Sequence, residues 1–184
     1  EDLLDFSRMQ SGRLSVNMRL TNIVIPLREA VYMYVEVAKQ HNIKMDFVCP
    51  SVLSDVMGDP DRLKQVFINV IDNAIKYSPN GKEISINFYE SDDTLILNIK
   101  NLGICPADHE KATLFHRGVR SKYVESIEGR GLGLYLLKQI CDTNGIKLEV
   151  KINNKEHYFE NGIRYAPFTI CLEFNHMLIS EVED

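Results

Sequence analysis

Asn69, Asn73 and Lys76 fall four and then three residues apart, a spacing that stacks them on one face of a helix. Two amides and an ammonium are a poor choice for an ordinary solvated face, because Asn is a mediocre helix former. Their chemistry suits a cation and a polyphosphate: amide oxygens ligate Mg²⁺, and Lys neutralises phosphate charge. A second candidate is the run Glu128-Gly129-Arg130-Gly131-Leu132-Gly133-Leu134. Glycines there let backbone N–H groups approach phosphate, and a helix beginning at the run adds a favourable dipole. Taken alone, such a run reads equally as a flexible hinge. It lacks the G-K-[ST] of a Walker A loop, and a long loop precedes it where a dinucleotide fingerprint requires a strand.

These residues need elements to hold them. Leu63, Val66, Phe67, Val70, Ile71, Ala74 and Ile75 repeat at helical spacing, so the helix carrying the amides turns its other stripe to a core. Asp59 is a good N-cap, Pro60 a natural first residue, and Pro79 stops the helix beyond Tyr77. Upstream, Glu1–Gln10 reads as the tail of a helix, Ser11-Gly12 breaks it, and Leu14-Ser15-Val16 alternates as a short strand. Pro26 opens a helix with Leu27, Ala30, Val31, Tyr34, Val35 and Ala38 on one stripe. Strands are expected at Ile43 to Phe47 and at Asp55-Val56-Met57, and a hairpin at Ile84–Phe88 and Leu95–Ile99. From Asn101 to Gly131 periodicity is weak, apart from a turn of helix at Asp108 to Phe115; so long a connection reads as a lid or binding loop. A helix at Leu134 to Thr143, ended by Asn144-Gly145, precedes a strand pair, Leu148–Ile152 and Phe168–Leu172, around the polar loop Asn153–Gly162. The sum is an α+β fold: a two-layer α/β sandwich whose mixed, mostly antiparallel sheet is covered on one face by helices.

Composition narrows the function classes. The 184 residues, 45% hydrophobic, can bury one substantial core. A net charge of −5 argues against a nucleic-acid grip made by bulk charge. No run is long and apolar enough to span a membrane. The first residue is Glu1 rather than Met, which reads as a piece of a longer protein. Cys49, Cys105, Cys141 and Cys171 form no C-x-x-C pair and sit in apolar or strand-like sequence, as reduced thiols of a cytosolic core do.

The combination of N-x-x-x-N-A-x-K-Y on a helix, Gly103 after a strand, Leu114-Phe115 in the loop and G-x-G-L-G-L opening a helix resembles the catalytic ATP-binding domain of sensor histidine kinases. That family shares the Bergerat ATPase fold with DNA gyrase, heat-shock chaperones and mismatch-repair ATPases. The resemblance covers roughly residues 14 to 175 with the motifs in order. It implies a boundary: residues 1–13 as the end of a dimerisation and phosphoacceptor helix, and 14–184 as the catalytic ATP-binding domain. It further implies that Asn73 ligates Mg²⁺ with Asn69 beside it, that Lys76 meets phosphate, and that Tyr77 lies against adenine or ribose. Asn101, Gly103 and Ile104 would border the base, with Gly103 letting the backbone approach it. Leu114, Phe115, Arg117 and Arg120 would form the lid, and Gly129, Arg130, Gly131, Leu132, Gly133 and Leu134 would wrap the phosphates. Phe115 reads equally as a core anchor, and Arg130 equally as a solvated loop charge.

The implied reaction is transfer of the ATP γ-phosphate to a histidine outside this chain and onward to a response-regulator aspartate. The implied cofactors are ATP and Mg²⁺. The implied partners are the upstream dimerisation and histidine phosphotransfer domain and a receiver domain, with a homodimeric parent, a cytoplasmic location for this domain and no nucleic acid. Asn69 separates subfamilies: hydrolysing relatives carry Glu there as a general base, and Asn cannot take a proton. Two positions depart from the family pattern. Asn101 replaces the usual Asp, so the charge-assisted part of adenine recognition is lost. Cys105 replaces a glycine and needs negative φ. These motivate a rival reading as a scaffold or nucleotide sensor without catalysis; a hydrolysing ATPase is the other rival. His109-Glu110-Lys111-Ala112-Thr113 matches the start of the family's H-E-x-x-T phosphoacceptor pattern, but it sits in the lid region and lacks the following Pro.

Overall fold

The computed structural model describes residues 16–48, 50, 53–91, 93–111, 113–118 and 132–175. In chain order they form β1 (Arg19–Thr21), α1 (Val24–Gln40), β2 (Lys44–Phe47), β3 (Val56–Gly58), α2 (Pro60–Lys76), β4 (Glu83–Glu90) and β5 (Thr94–Ile104). There follow the short α3 (Asp108–Lys111), then α4 (Gly133–Thr143), β6 (Lys147–Ile152), a 3-10 turn at Asn154–Glu156, β7 (Tyr158–Glu160) and β8 (Ile163–Asn175).

The main sheet runs β2-β4-β5-β8-β6, with β7 paired to the start of β8. The β2–β4 pairing is parallel and the others are antiparallel. Alternation decides which face is covered. Ile84, Ile86, Leu95, Leu97, Ile99, Ile170, Leu172 and Phe174 are buried on one face, against Leu27, Phe67, Val70, Leu137 and Ile140 of the three long helices. Positions between them, such as Lys100, Glu149 and Lys151, face solvent and form exposed pairs such as Lys151–Glu149. The expected two-layer sandwich is therefore the observed one.

The central helix α2 is laid down by its own sequence. Its buried residues are the seven of the apolar stripe, Leu63, Val66, Phe67, Val70, Ile71, Ala74 and Ile75. Asp59 caps it, with Oδ1 accepting from the backbone N–H groups of Asp61 at 3.0 Å and Arg62 at 3.3 Å. Its other oxygen accepts from the Asn17 N–H at 2.9 Å, tying the incoming chain to the same cap. The Asp59 N–H donates to Asn144 Oδ1 at 3.3 Å, and Asn144 Nδ2 donates to Ile140 O at 2.9 Å. Asn144, buried at the end of α4, thus clasps that helix to the start of α2. Gly145 beyond it has φ of +67°, the left-handed ending that a glycine supplies without strain.

Four expectations need correction. Of the strand expected at Leu14–Val16, Leu14 and Ser15 lie outside the described residues and Val16 belongs to no element; the first strand among the described residues is Arg19–Thr21. Pairing with β3 decides it, reinforced by the Thr21 hydroxyl donating to Gly58 O at 3.0 Å. The long connection does not begin at Asn101, because β5 continues to Ile104 in register with β8 as far as Tyr165. Asn-Leu-Gly has little strand propensity of its own, and the partner strand supplies what the local sequence does not. The helix expected over Asp108 to Phe115 is four residues long, ending at Lys111. The polar loop Asn153–Gly162 contains the 3-10 turn and β7, which pairs Tyr158 with Tyr165 and Glu160 with Ile163.

Cys105, Cys141 and Cys171 are buried free thiols, and Cys49 lies outside the described residues. Burial, and then the charge of Asp142, push the Cys141 thiol up to about 12, and burial also raises Cys171. Both stay protonated and unreactive at neutral pH. Among the described residues no helix is long and apolar enough to cross a membrane.

Candidate functional site

The polar face of α2 emerges as its spacing predicts. Asn69, Asn73 and Lys76 are half-buried, opposite the core stripe. Asn69 Nδ2 donates to Gln65 O at 3.0 Å, which commits its nitrogen to the helix and leaves its oxygen as an acceptor. Asn73 Nδ2 is buried and has no hydrogen-bond partner among the described residues. A buried amide N–H without an acceptor costs about 1–3 kcal/mol, so it marks a place where a ligand completes the bonding. Lys76 forms no ion pair among the described residues.

The start of α4 stands over this amide. A Cβ added to Gly133 would lie 3.2 Å from Asn73 Nδ2 and 3.3 Å from Asn73 Oδ1. Any side chain there would crowd the Asn73 amide. Leu132 makes no side-chain cap bond to the helix, and a helix start is where backbone N–H groups can donate to an anion. Leu132, Gly133 and Leu134 are half-buried, and Leu134 packs against the main core. The other predicted phosphate residues, Gly129, Arg130 and Gly131, lie outside the described residues, as does Arg120. Leu114 and Phe115 are half-buried and Arg117 is exposed.

Beside the C-terminal end of α2, Asn101 is a buried polar residue, 7% exposed. Its Nδ2 donates to Ser78 Oγ at 2.9 Å and to Ala74 O at 3.3 Å. Gly103 lies two residues on along the same face. A Cβ there would stand 2.9 Å from Phe168 Cβ and 3.4 Å from Asn101 Nδ2. The glycine is thus required by strand-to-strand packing inside the protein itself, a reason the sequence does not disclose. Gly103→Ala is expected to cost about 2 kcal/mol by overpacking, because Phe168 Cβ is anchored to β8 and cannot swing aside. An unchanged midpoint in urea unfolding would contradict this packing.

Cys105 adopts no positive φ, since the non-glycine residues that do so are Asn42 and Asn161. Its N–H donates to Arg164 O at 2.8 Å, and its thiol donates to Asn154 Oδ1 at 3.2 Å. The cysteine in the glycine position therefore docks the 3-10 turn without backbone strain. Beside it, buried Ile104 and Tyr165 pack with Tyr77, Tyr158 and Ile163. The Tyr158 and Tyr165 rings stack at 5.7 Å, and Lys82 Nζ lies 5.8 Å from the centre of the Tyr158 ring. Burial first, then the Glu160 charge, raise both tyrosine hydroxyls above the ordinary phenol value. This aromatic cluster at Tyr77 comes from a segment that reads as a polar loop. Its only sequence signal is Tyr158 and Tyr165 flanking Asn161-Gly162, a hairpin turn.

The site thus joins an amide-and-ammonium face, a helix start and an apolar end lined by Tyr77 and Ile104. That is a combination for a phosphorylated molecule with a flat ring. Residues 58–175 match the family model described as "Histidine kinase-, DNA gyrase B-, and HSP90-like ATPase". The chain belongs to that family. The sensor protein SrrB of Staphylococcus aureus is 33% identical over 153 residues, which cover 82% of this chain and 26% of SrrB. Histidine kinase P4 of Formosa agariphila is 26% identical over 159 residues, covering 84% of this chain and 12% of P4. The chain therefore spans about a quarter or less of the curated relatives it matches. Among solved structures, full-length ShkA in complex with AMPPNP superposes with a TM-score of 0.72 at 20% identity, covering 96% of this chain and 35% of ShkA. The mycobacterial sensor histidine kinase MprB gives 0.66 at 24% identity, covering 88% of this chain and all (100%) of that one. Histidine kinase ThkA in complex with the response regulator TrrA gives 0.64 at 18% identity, over 95% of this chain and 49% of that one. These likenesses establish a shared fold, that of histidine kinase ATP-binding domains.

Proposed function

We propose that this chain is the ATP-binding catalytic domain of a two-component sensor histidine kinase, handing the ATP γ-phosphate to a histidine on a dimerisation and phosphotransfer domain. The observation that carries the reading is Asn73, whose buried amide nitrogen lacks a partner among the described residues, on a face shared with Asn69 and Lys76 and against Gly133. Hard amide oxygens suit Mg²⁺, which keeps waters and phosphate oxygens in its remaining positions. When bound, Mg²⁺ supplies charge neutralisation of the phosphates. Asn73, with Asn69 beside it, would hold the ion, and Lys76 and the start of α4 would hold phosphate. Tyr77, Ile104 and Asn101 would hold the base. Leu114, Phe115 and Arg117, with Arg120 and the glycine run, would cover the nucleotide.

Phosphoryl transfer asks for positioning and charge neutralisation rather than for a strong base. Asn69 fits that demand, because it cannot take a proton from water as a Glu would. The AMPPNP bound by ShkA and the response regulator bound by ThkA support nucleotide as ligand and a receiver domain as partner. We place the domain in the cytoplasm of a homodimeric parent, with residues 1–13 as the end of its dimerisation helix. His109, on the four-residue α3, is not assigned the acceptor role.

Calorimetric titration with ADP and a non-hydrolysable ATP analogue, with and without Mg²⁺, tests the reading. Micromolar to submillimolar binding that depends on Mg²⁺ is expected. No binding up to millimolar nucleotide would replace it with the scaffold reading that Asn101 and Cys105 motivate. Steady ATP hydrolysis, lost in Asn73→Ala, would replace it with an ATPase.

A further inference from the structure

The hydrogen bonds around Asn101 fix which way its amide faces. Ser78 Oγ donates its single proton to Ala74 O at 2.5 Å, so toward Asn101 the hydroxyl offers only lone pairs. Ala74 O is itself a carbonyl and can only accept. Both neighbours of the amide's inner end are therefore acceptors, and the nitrogen must face them, at 2.9 Å and 3.3 Å. The carbonyl oxygen of the amide receives no hydrogen bond among the described residues, yet it is not one of the buried atoms left without a partner. With no partner and no place among those fully buried atoms, the oxygen, turned away from Ser78 and Ala74, keeps a share of the 7% exposure of Asn101.

We propose that Ser78 is a positioning residue for base selection: by accepting from Asn101 Nδ2 it presents Asn101 Oδ1 as a pure acceptor. A site so set takes a purine with an amino group at position 6 and rejects one with a 6-oxo group, which would put oxygen against oxygen. A carboxylate at the same position would need no such lock, because both of its oxygens accept. A neutral amide has a donor end and an acceptor end, and without Ser78 only the longer Ala74 bond opposes its turning over. The inference rests on the nucleotide-site reading above and adds the residue that sets its preference between bases.

The test is titration of the full chain with ADP and with inosine 5′-diphosphate, giving the ratio of their affinities. The native chain is expected to prefer ADP. Ser78→Ala should narrow the ratio roughly three- to tenfold, the worth of one hydrogen bond of this kind, and Ser78→Thr, which keeps the hydroxyl, should retain it. In the Asn101→Asp background the ratio should not respond to Ser78→Ala, because a carboxylate has no donor end to turn. If Ser78→Ala does not fold, Ser78→Cys, whose sulfur is a weak acceptor, takes its place. A ratio unmoved by loss of the hydroxyl overturns the proposal, and so does an equal narrowing in both backgrounds. Equal affinity of the native chain for the two nucleotides also overturns it, leaving the nucleotide site standing. Absence of any ADP binding removes the site itself.

Discussion

Asn73→Ala is expected to weaken Mg²⁺-dependent nucleotide binding by roughly 10- to 100-fold, with little change in thermal stability. Both halves of the expectation come from one observation. Among the described residues the Asn73 amide nitrogen is buried without a partner, so it adds no hydrogen bond to the folded state and carries a desolvation cost. Alanine removes the orphan, is the better helix former, and leaves the seven core residues of α2 untouched. What it removes is the amide that Gly133 is kept bare to accommodate. Titration with ADP in Mg²⁺, paired with a melting curve, checks both halves. A large drop in melting temperature would make Asn73 a structural residue, and unchanged binding would remove it from the ion site.

Phe67→Ala has the opposite profile. Phe67 is fully buried, at 0% exposure, and is among the largest side chains in the core, where α2 meets the sheet and the other long helices. Truncating it loses transfer energy and leaves a cavity, about 3–5 kcal/mol together. That is a large part of the 5–15 kcal/mol typical of a domain's whole stability. Urea unfolding monitored by circular dichroism should show a correspondingly lower midpoint with a similar slope. Because Asn69, Asn73 and Lys76 ride on the same helix, nucleotide affinity should be retained where the variant is still folded. Saturating ADP should recover part of the lost stability by mass action. A loss below about 1 kcal/mol would mean that the helix is not seated as described.

The two variants separate along the two faces of one helix, and both faces are legible in the sequence. Helical periodicity is local: residues three and four apart meet on the same side whatever the rest of the chain does. The apolar stripe, the Asp59 cap, the Pro60 start and the amide face could thus be read directly, and each stands where it was expected. The hairpin of β4 and β5 was legible for a similar reason, since its strands alternate and a short turn joins them. Strand ends were less so. Asn101 to Ile104 looks like loop, and it is strand because β8, more than sixty residues away by its register, pairs with it.

The sequence by itself determined the family, the sandwich of helices on one sheet face and the polar face of α2. These follow from patterns repeated within single elements. Only the tertiary structure decided how the site is finished. It set Gly133 against the Asn73 amide, Phe168 against Gly103, Tyr77 and Tyr158 against the cluster of Ile104 and Tyr165, and the Asn101 amide with its nitrogen toward Ser78. Each of these joins elements distant in sequence, as the Asp59–Asn144 clasp does across 85 residues. A side chain's spacing says which face it shares; the direction in which its amide bonds, and the room a glycine must leave, depend on what the other layer brings to it.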